Sequence, residues 1–383
     1  MWVGTHPNGM SEIILPQTVG SRNISNNNTY SIPLVDYVQT HPQRHLGILG
    51  KVMPSKDFDL TFLLKVLSIE KVLSIQAHPD KRLATQLHAA RPTVYKDPNH
   101  KPEMAIALTD DFEAMCGFRP IVDIARHLSE YPEFYKIIGI EVSNDVINEA
   151  SLACSRDPKF VLKKLYKSYM ETTDAVFDIM IKLLVIRLSA KKSRTDLDDL
   201  ILKLSDQFPG DSGIFAPLIF NHMKLNIGDA FFIGANEPHA YIQGEILECM
   251  ACSDNVVRAG LTPKLKDVET LLAMLTYKCT MPEVHRGKQI DTCTVLYSPP
   301  VHDFAMEVIE VAAGTDYILK SVKSPSVVLT LMGSGRIQQH EIQTISLSFG
   351  KTVFASANTS SVLHADKNGA GLKVVRALSN VHI

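Results

Sequence analysis

Leu73-Ser-Ile-Gln-Ala-His-Pro79 alternates cleanly, with Leu73, Ile75 and Ala77 facing one way and Ser74, Gln76 and His78 the other. A strand at that place points three polar groups at one cavity, and Pro79 stops it. Next, Asp80 to Ala90 reads as a short helix with Leu83, Leu87 and Ala90 on one side. Glu103-Met-Ala-Ile-Ala-Leu-Thr109 alternates again. Glu103 lies in line with Ala105 and Ala107, opposite Met104, Ile106 and Leu108, and the small residues suit either a barrel lumen or tight sheet packing.

Upstream, residues 1–56 read as loop-rich, with a polar Ser21–Tyr30 run, before Phe62–Ile69 turns extended. Downstream, the period becomes helical between about Pro120 and Phe208. Val122, Ile124, Ala125 and Leu128 begin it. Phe160, Leu162, Leu165 and Tyr169 continue it, then Val176–Leu188 and Leu197–Leu204, up to Pro209-Gly210. Extended structure is expected again from Ile214, with a turn at Asn226-Ile-Gly-Asp229 and a strand over Ala230–Ile233. The loop Gly234–Pro238 then delivers His239. The last part carries β-rich runs at Phe304–Val311, Val327–Met332, Ile342–Leu347 and Lys373–Leu378, with turn signals at Gly333-Ser-Gly335 and Asn368-Gly369.

The expected architecture is mainly β with a helical insertion. It comprises a cupin-like (jelly-roll) β-barrel domain in two parts, 1–118 and 209–290, an all-α domain at 119–208, and a second β-barrel domain at 291–383. A chain of 383 residues with 45% apolar residues can bury cores of that number. Net charge is −2, so no basic field draws it to nucleic acid or anionic membrane. Lys163-Lys164 and Lys191-Lys192 read as solvated helix faces. The apolar stretch Ile181–Leu188 carries Lys182 and Arg187, which argues against a membrane span.

Six scattered cysteines are not a disulfide framework, and Cys249-Met-Ala-Cys252 has no second CxxC to complete a zinc site. Without a secretory signal, the glycosylation patterns at Asn23-Ile-Ser25 and Asn27-Asn-Thr29 mean only a polar loop. The expected setting is reducing and cytoplasmic. His302, His340 and His364 stand isolated and read as surface or packing residues.

Gln76, His78, Glu103 and His239 offer an amide oxygen, two imidazoles and a carboxylate, a donor set suited to one divalent ion with a position open for substrate. Each also has a bland reading. Gln-x-His pairs occur on any half-exposed strand, Glu103 can pair with Lys101, and His239 can be a satisfied core histidine. An accidental convergence of three separate segments is less probable than any one of these.

Gly228-Asp229, Gly234 and Pro238-His239 resemble the second cupin motif, and Gln76, His78 and Glu103 stand where the first would supply ligands. Longer phrases are more specific. Leu73-Ser-Ile-Gln-Ala-His-Pro79, Asn99-His-Lys-Pro-Glu-Met-Ala-Ile-Ala-Leu108 and Glu248-Cys-Met-Ala-Cys-Ser-Asp-Asn-Val-Val-Arg-Ala-Gly-Leu-Thr-Pro-Lys264 closely resemble type I mannose-6-phosphate isomerases, as does Trp2-Val-Gly-Thr-His-Pro7. The resemblance covers nearly the whole chain. It implies that Gln76, His78, Glu103 and His239 hold one Zn2+, and that Arg258 is an active-site arginine. Lys101, Glu248, Ser74 and Lys264 fall on further pocket positions.

The implied reaction interconverts mannose 6-phosphate and fructose 6-phosphate through an enediol, supplying mannose for GDP-mannose and glycan synthesis. A proton carrier near the reacting carbons is required, for which Glu248 and then Lys101 are the candidates. The phosphate needs donors away from the metal, and Ser74, Lys264 and Lys65 fit. Bland alternatives are a solvated Lys264 and an Arg258–Asp254 salt bridge. Relative to the family, the chain enters at a late point, without a Tyr-x-Trp-Gly-like segment. That implies intact site residues but an exposed sheet edge, and so a weakly active or non-catalytic sugar-phosphate-binding isoform as the alternative. An iron oxidoreductase is disfavoured by Gln76 as a ligand. Expected partners are a sugar phosphate alone, with the chain a monomer.

Overall fold

The computed structural model describes residues 1–15, 30–54, 59–151, 158–339 and 343–380. Most of the polar Ser21–Tyr30 run, both glycosylation patterns, Cys154, His340 and Ile342 lie outside them. The chain forms two compact units: Met1–Val66 with Leu247–Ser253 and Arg286–Ile383, and Leu67–Ile246 with Asp254–His285.

In the first unit, Trp2–Val3 pairs antiparallel with Leu64 and Lys65. The segment expected to be loop-rich contains three helices, Leu34–Thr40, Pro42–Leu46 and Leu49–Val52. Each has seven residues or fewer, too short to display a 3.6-residue period. The C-terminal β structure is organised by one 14-residue strand, Ser326–Gln339. Its first part pairs with Leu372–Leu378 and Thr352–Ala355, and its second with Gln343–Ser348 and Ser361–Ala365.

Gly333-Ser-Gly335, expected as a turn, lies inside this strand beside a register shift. The reason is close approach. Gly333 has φ 79°, and a Cβ there would sit 1.8 Å from the Gly371 carbonyl oxygen. Ile309, Val328, Ile337, Leu363 and Val374 fill the core of this sheet.

The second unit combines antiparallel strands with helices that include Ile121–Glu130, Pro132–Ile138, Ile140–Ser151, Lys159–Glu171, Asp174–Ser189 and Asp196–Gln207. Helices and strands share one core, in which Leu128, Leu165 and Leu204 join Ile75, Ala77 and Val257. Two periodicity readings shift by a residue or more. Ile121, not the exposed Val122, starts the buried face, and Phe160 is 69% exposed. Between Asp80 and Ala90, Ala84 is buried where Ala90 was expected to be. The Asp174–Ser189 helix is apolar on both sides, with Phe177, Ile181, Leu184 and Leu188 buried and Ile179, Leu183 and Ile186 exposed. Among the described residues no helix is long and apolar enough to cross a membrane. Lys164 pairs with Asp145 on an exposed helix face, whereas Lys191 follows the end of the Asp174–Ser189 helix and pairs with the buried Asp198, so it is not a solvated helix face.

Where strand was expected from Ile214, the chain forms a 3-10 helix, Ser212–Leu218, because Asp211 caps it through Gly213 N. Pairing resumes at Phe220–Leu225. The hairpin turn at Asn226–Asp229 is closed by Asp229 N donating to Asn226 O, with Gly228 at φ 83°. The Glu103–Ala107 strand is buried on both faces, and Ala105 and Ala107 pack with Phe112, Phe231 and Ile233. Tight sheet packing is therefore what these small residues serve.

Asp198 ties the helices together. It completes a capping box with Thr195 and accepts from Tyr131 and Lys191. Burial pushes its carboxyl up, but these donors outweigh it and hold the group below the ordinary Asp value. Its stabilisation is thus present above pH of about 4 and lost as pH falls through the depressed native value. Asp198→Ala is expected to lower unfolding free energy in urea by about 1–3 kcal/mol at neutral pH, with a smaller difference in acid. Equal melts at both pH values would contradict this.

Candidate metal centre

The Leu73–His78 alternation becomes a strand only over Ile75–Ala77, and that strand lies between two partners. Gln76 is in register with His239 of the His239–Ala251 strand on one side. On the other it is in register with Arg258 of the Val257–Gly260 strand. Directly opposed residues of an antiparallel pair share a face, so Arg258, Gln76 and His239 form a row across three strands. His78 follows the strand end, where Asn236 N donates to its carbonyl at 2.7 Å. Asn236 itself adopts φ 66°, which an asparagine tolerates, and opens the loop that brings in His239.

His78, Glu103 and His239 converge from three segments, with one ligand atom each lying within 4.8 Å of one another. All three are at most 1% exposed. Glu103 Oε1 is 3.3 Å from His78 Nε2, and Oε2 is 3.3 Å from His239 Nε2. Yet His78 Nε2, His239 Nε2 and Glu103 Oε2 are buried without hydrogen-bond alignment to any partner. Orphaned buried polar atoms are costly, and three aimed at one point are what a divalent ion would satisfy. The far ring nitrogens are already held, Nδ1 of His78 by Asn255 O at 2.6 Å and Nδ1 of His239 by Glu237 O at 3.1 Å. Such outer bonds set the tautomer that leaves Nε2 as a free lone pair.

Electrostatics suits the same purpose. Burial pushes His78 down to about 4, helped by the Lys101 ammonium, so the imidazole is neutral and metal-competent at pH 7. Burial alone would raise Glu103. Lys101 Nζ, at 3.1 Å, and His78 outweigh that and hold the carboxyl well below its usual range. The Glu103–Lys101 pair and the three-residue cluster therefore coexist.

Comparison with known proteins decides what scaffold this is. Profiles for the catalytic domain, helical insertion domain and C-terminal domain of type I phosphomannose isomerase match residues 1–121, 137–220 and 294–341. Mannose-6-phosphate isomerase 1 of Arabidopsis thaliana is 39% identical over 98% of this chain and 84% of its own length. The chain belongs to the type I phosphomannose isomerase family. The Candida albicans mannose-6-phosphate isomerase is 43% identical over 88% of this chain and 78% of its own length. A crystal structure titled mannose 6-phosphate isomerase (holo; zinc bound) has TM-score 0.79 and 28% identity, covering 99% of this chain and 90% of that one. A glutamate-to-alanine variant of phosphomannose isomerase from Salmonella typhimurium has TM-score 0.81 with the same identity and coverage. The expected family and its fold, with helical insertion and C-terminal β domain, are thus found.

Of the other residues singled out in the sequence, Arg258 is half-buried and makes no ion pair among the described residues, so the Asp254 bridge does not form. Ser74 is half-buried just before the central strand, and Lys264 is exposed. Glu248 and Lys65 are both buried in the first unit and bond to each other at 2.7 Å. The ammonium also lies 4.6 Å from the Trp2 ring centre. Cys249 is fully buried and its thiol is pushed well up by burial, which fits a small apolar residue. His364 bonds Asp316 across two strands.

Sequence reading missed Asp211. Its carboxylate accepts from Gly213 N, Leu261 N and Thr262 N at 2.7–3.0 Å, pinning the segment between Arg258 and Lys264. Only a Pro-Gly-Asp turn marked it.

The geometry yields a direct expectation. The purified chain binds one divalent ion, and Glu103→Gln lowers its affinity by more than about 100-fold in chelator competition. An unchanged affinity would refute the assignment.

Proposed function

We propose that this chain is a zinc-dependent aldose–ketose isomerase interconverting mannose 6-phosphate and fructose 6-phosphate through an enediol. The observation that carries the reading is the buried His78–Glu103–His239 cluster with three orphaned ligand atoms. Curated relatives of 34–43% identity over most of the chain bear the name of that enzyme. His78, Glu103 and His239 hold the zinc, and Gln76, on the same face as His239, is the fourth ligand. When bound, zinc supplies Lewis-acid polarisation of the sugar's carbonyl and hydroxyl oxygens.

Arg258 offers a planar fork of donors and lacks an internal carboxylate partner among the described residues. It is therefore available to stabilise negative charge developing on the sugar oxygens. Glu248, and after it Lys101, carries the proton between C1 and C2. The Lys65 ammonium contacts the Glu248 carboxylate at 2.7 Å. Ser74, Lys264 and Lys65 bind the phosphate. The same reading keeps the four modules at 1–118, 119–208, 209–290 and 291–383, a monomeric state, a cytoplasmic location and a role in supplying GDP-mannose.

A coupled assay of fructose 6-phosphate formation, run before and after chelation, tests the proposal. Activity is expected to disappear with the metal and return with zinc. Arg258→Ala should lower kcat by about 10²–10³-fold while metal content is unchanged. Lys264→Ala should raise KM by about 10-fold with kcat less affected. Sugar-phosphate binding without turnover would refute the catalytic reading.

A further inference from the structure

Asn255, whose carbonyl holds His78, is 1% exposed, and its side chain has no role assigned above although it reaches the metal centre from a second direction. Its main-chain carbonyl accepts from His78 Nδ1 at 2.6 Å. Its side-chain Nδ2 donates to Asp97 O at 2.6 Å and Asn99 O at 2.8 Å, and reaches Asp97 Oδ1 at 3.4 Å. The preceding residue adds a grip on the same loop, with Asp254 N donating to Asp97 Oδ2 at 2.8 Å. From Asn99 the chain runs directly through Lys101 to Glu103.

An amide nitrogen has two N–H groups, and here each has a main-chain carbonyl to serve. Fixing both orients the side chain completely. One residue therefore holds one end of the cluster by its backbone and the approach to another end by its side chain. We propose that Asn255 is a positioning residue of the metal centre, its carboxamide setting the reach of Glu103 relative to His78, so that divalent-ion affinity depends on it. The inference rests on the metal reading above.

The test uses the full chain, with zinc and cobalt(II) as probes. Three quantities are read: zinc Kd by competition with a chromophoric chelator, the visible absorption of the cobalt form, and the melting temperature of the metal-free chain. Asn255→Ala and Asn255→Asp are each expected to weaken zinc binding by about 10–100-fold and to shift the cobalt bands. Asn255→Asp keeps the side-chain size but exchanges both donors for a carboxylate oxygen, so it gives a second, differently perturbed probe of the lost donors if the alanine variant fails to fold.

Ile201→Val, in the helical core, should lower the melting temperature without weakening zinc binding, which separates positioning from general destabilisation. A folded Asn255→Asp chain with unaltered zinc affinity and cobalt spectrum overturns this proposal alone. So does an Ile201→Val chain that loses affinity equally. An unsubstituted chain that binds no divalent ion overturns the metal reading together with it.

Discussion

A carboxylate at 1% exposure must be compensated, and the site follows from how Glu103 is. One neighbour, Lys101, supplies a positive charge through a 3.1 Å contact. The remaining lone pairs face the imidazoles of His78 and His239, and burial and the same lysine keep His78 neutral. Ring nitrogens and a carboxylate gathered around one point make an arrangement that is unfavourable by itself and favourable around a cation. The second unit is built to bear that cost, with helices and strands sharing one core. Local strain is avoided where the ligands enter. Asn236 takes the positive φ before His239, and a capped helix begins straight after His78 and Pro79.

Much of this was legible in the chain. The alternation around Gln76 placed its polar residues on one face, and the Ala230–Ile233 strand and Asn226–Asp229 turn lie where composition put them. Patterns of this kind are local, arising from two- or four-residue chemistry, and local chemistry is what a sequence displays. Errors fell where tertiary contact overrides local preference. The helices at Leu34–Val52 are too short for periodicity to register, and Gly333 reads as a turn signal until the Gly371 carbonyl is seen against it. The stretch from Ile214 looks extended in sequence, but Asp211 caps Ser212–Leu218 into a tight helix.

The site shows the same division. Ligand-type residues announce themselves by donor chemistry, whereas their supports do not. Asn255 and Asp211 are ordinary polar residues whose side chains reach carbonyls 156–158 positions away and main-chain N–H groups 50–51 positions away in sequence. Their importance is a property of the folded contact and not of residue type. Arg258 is intermediate. Its type suggested a role, and the absence of an ion pair among the described residues distinguishes it from a structural arginine.

The strand carrying Gln76 is only three residues long, with a neighbour on each side. Sliding it by a single position would present Ile75 or Ala77 to the row and turn Gln76 into the apolar interior. The centre is in that sense digital. Mispairing does not yield a looser version of it, because an off-register strand has no amide there at all. Buried Ile75 and Ala77 penalise such slips from the opposite face, so the hydrophobic core acts as the proofreader of the polar site.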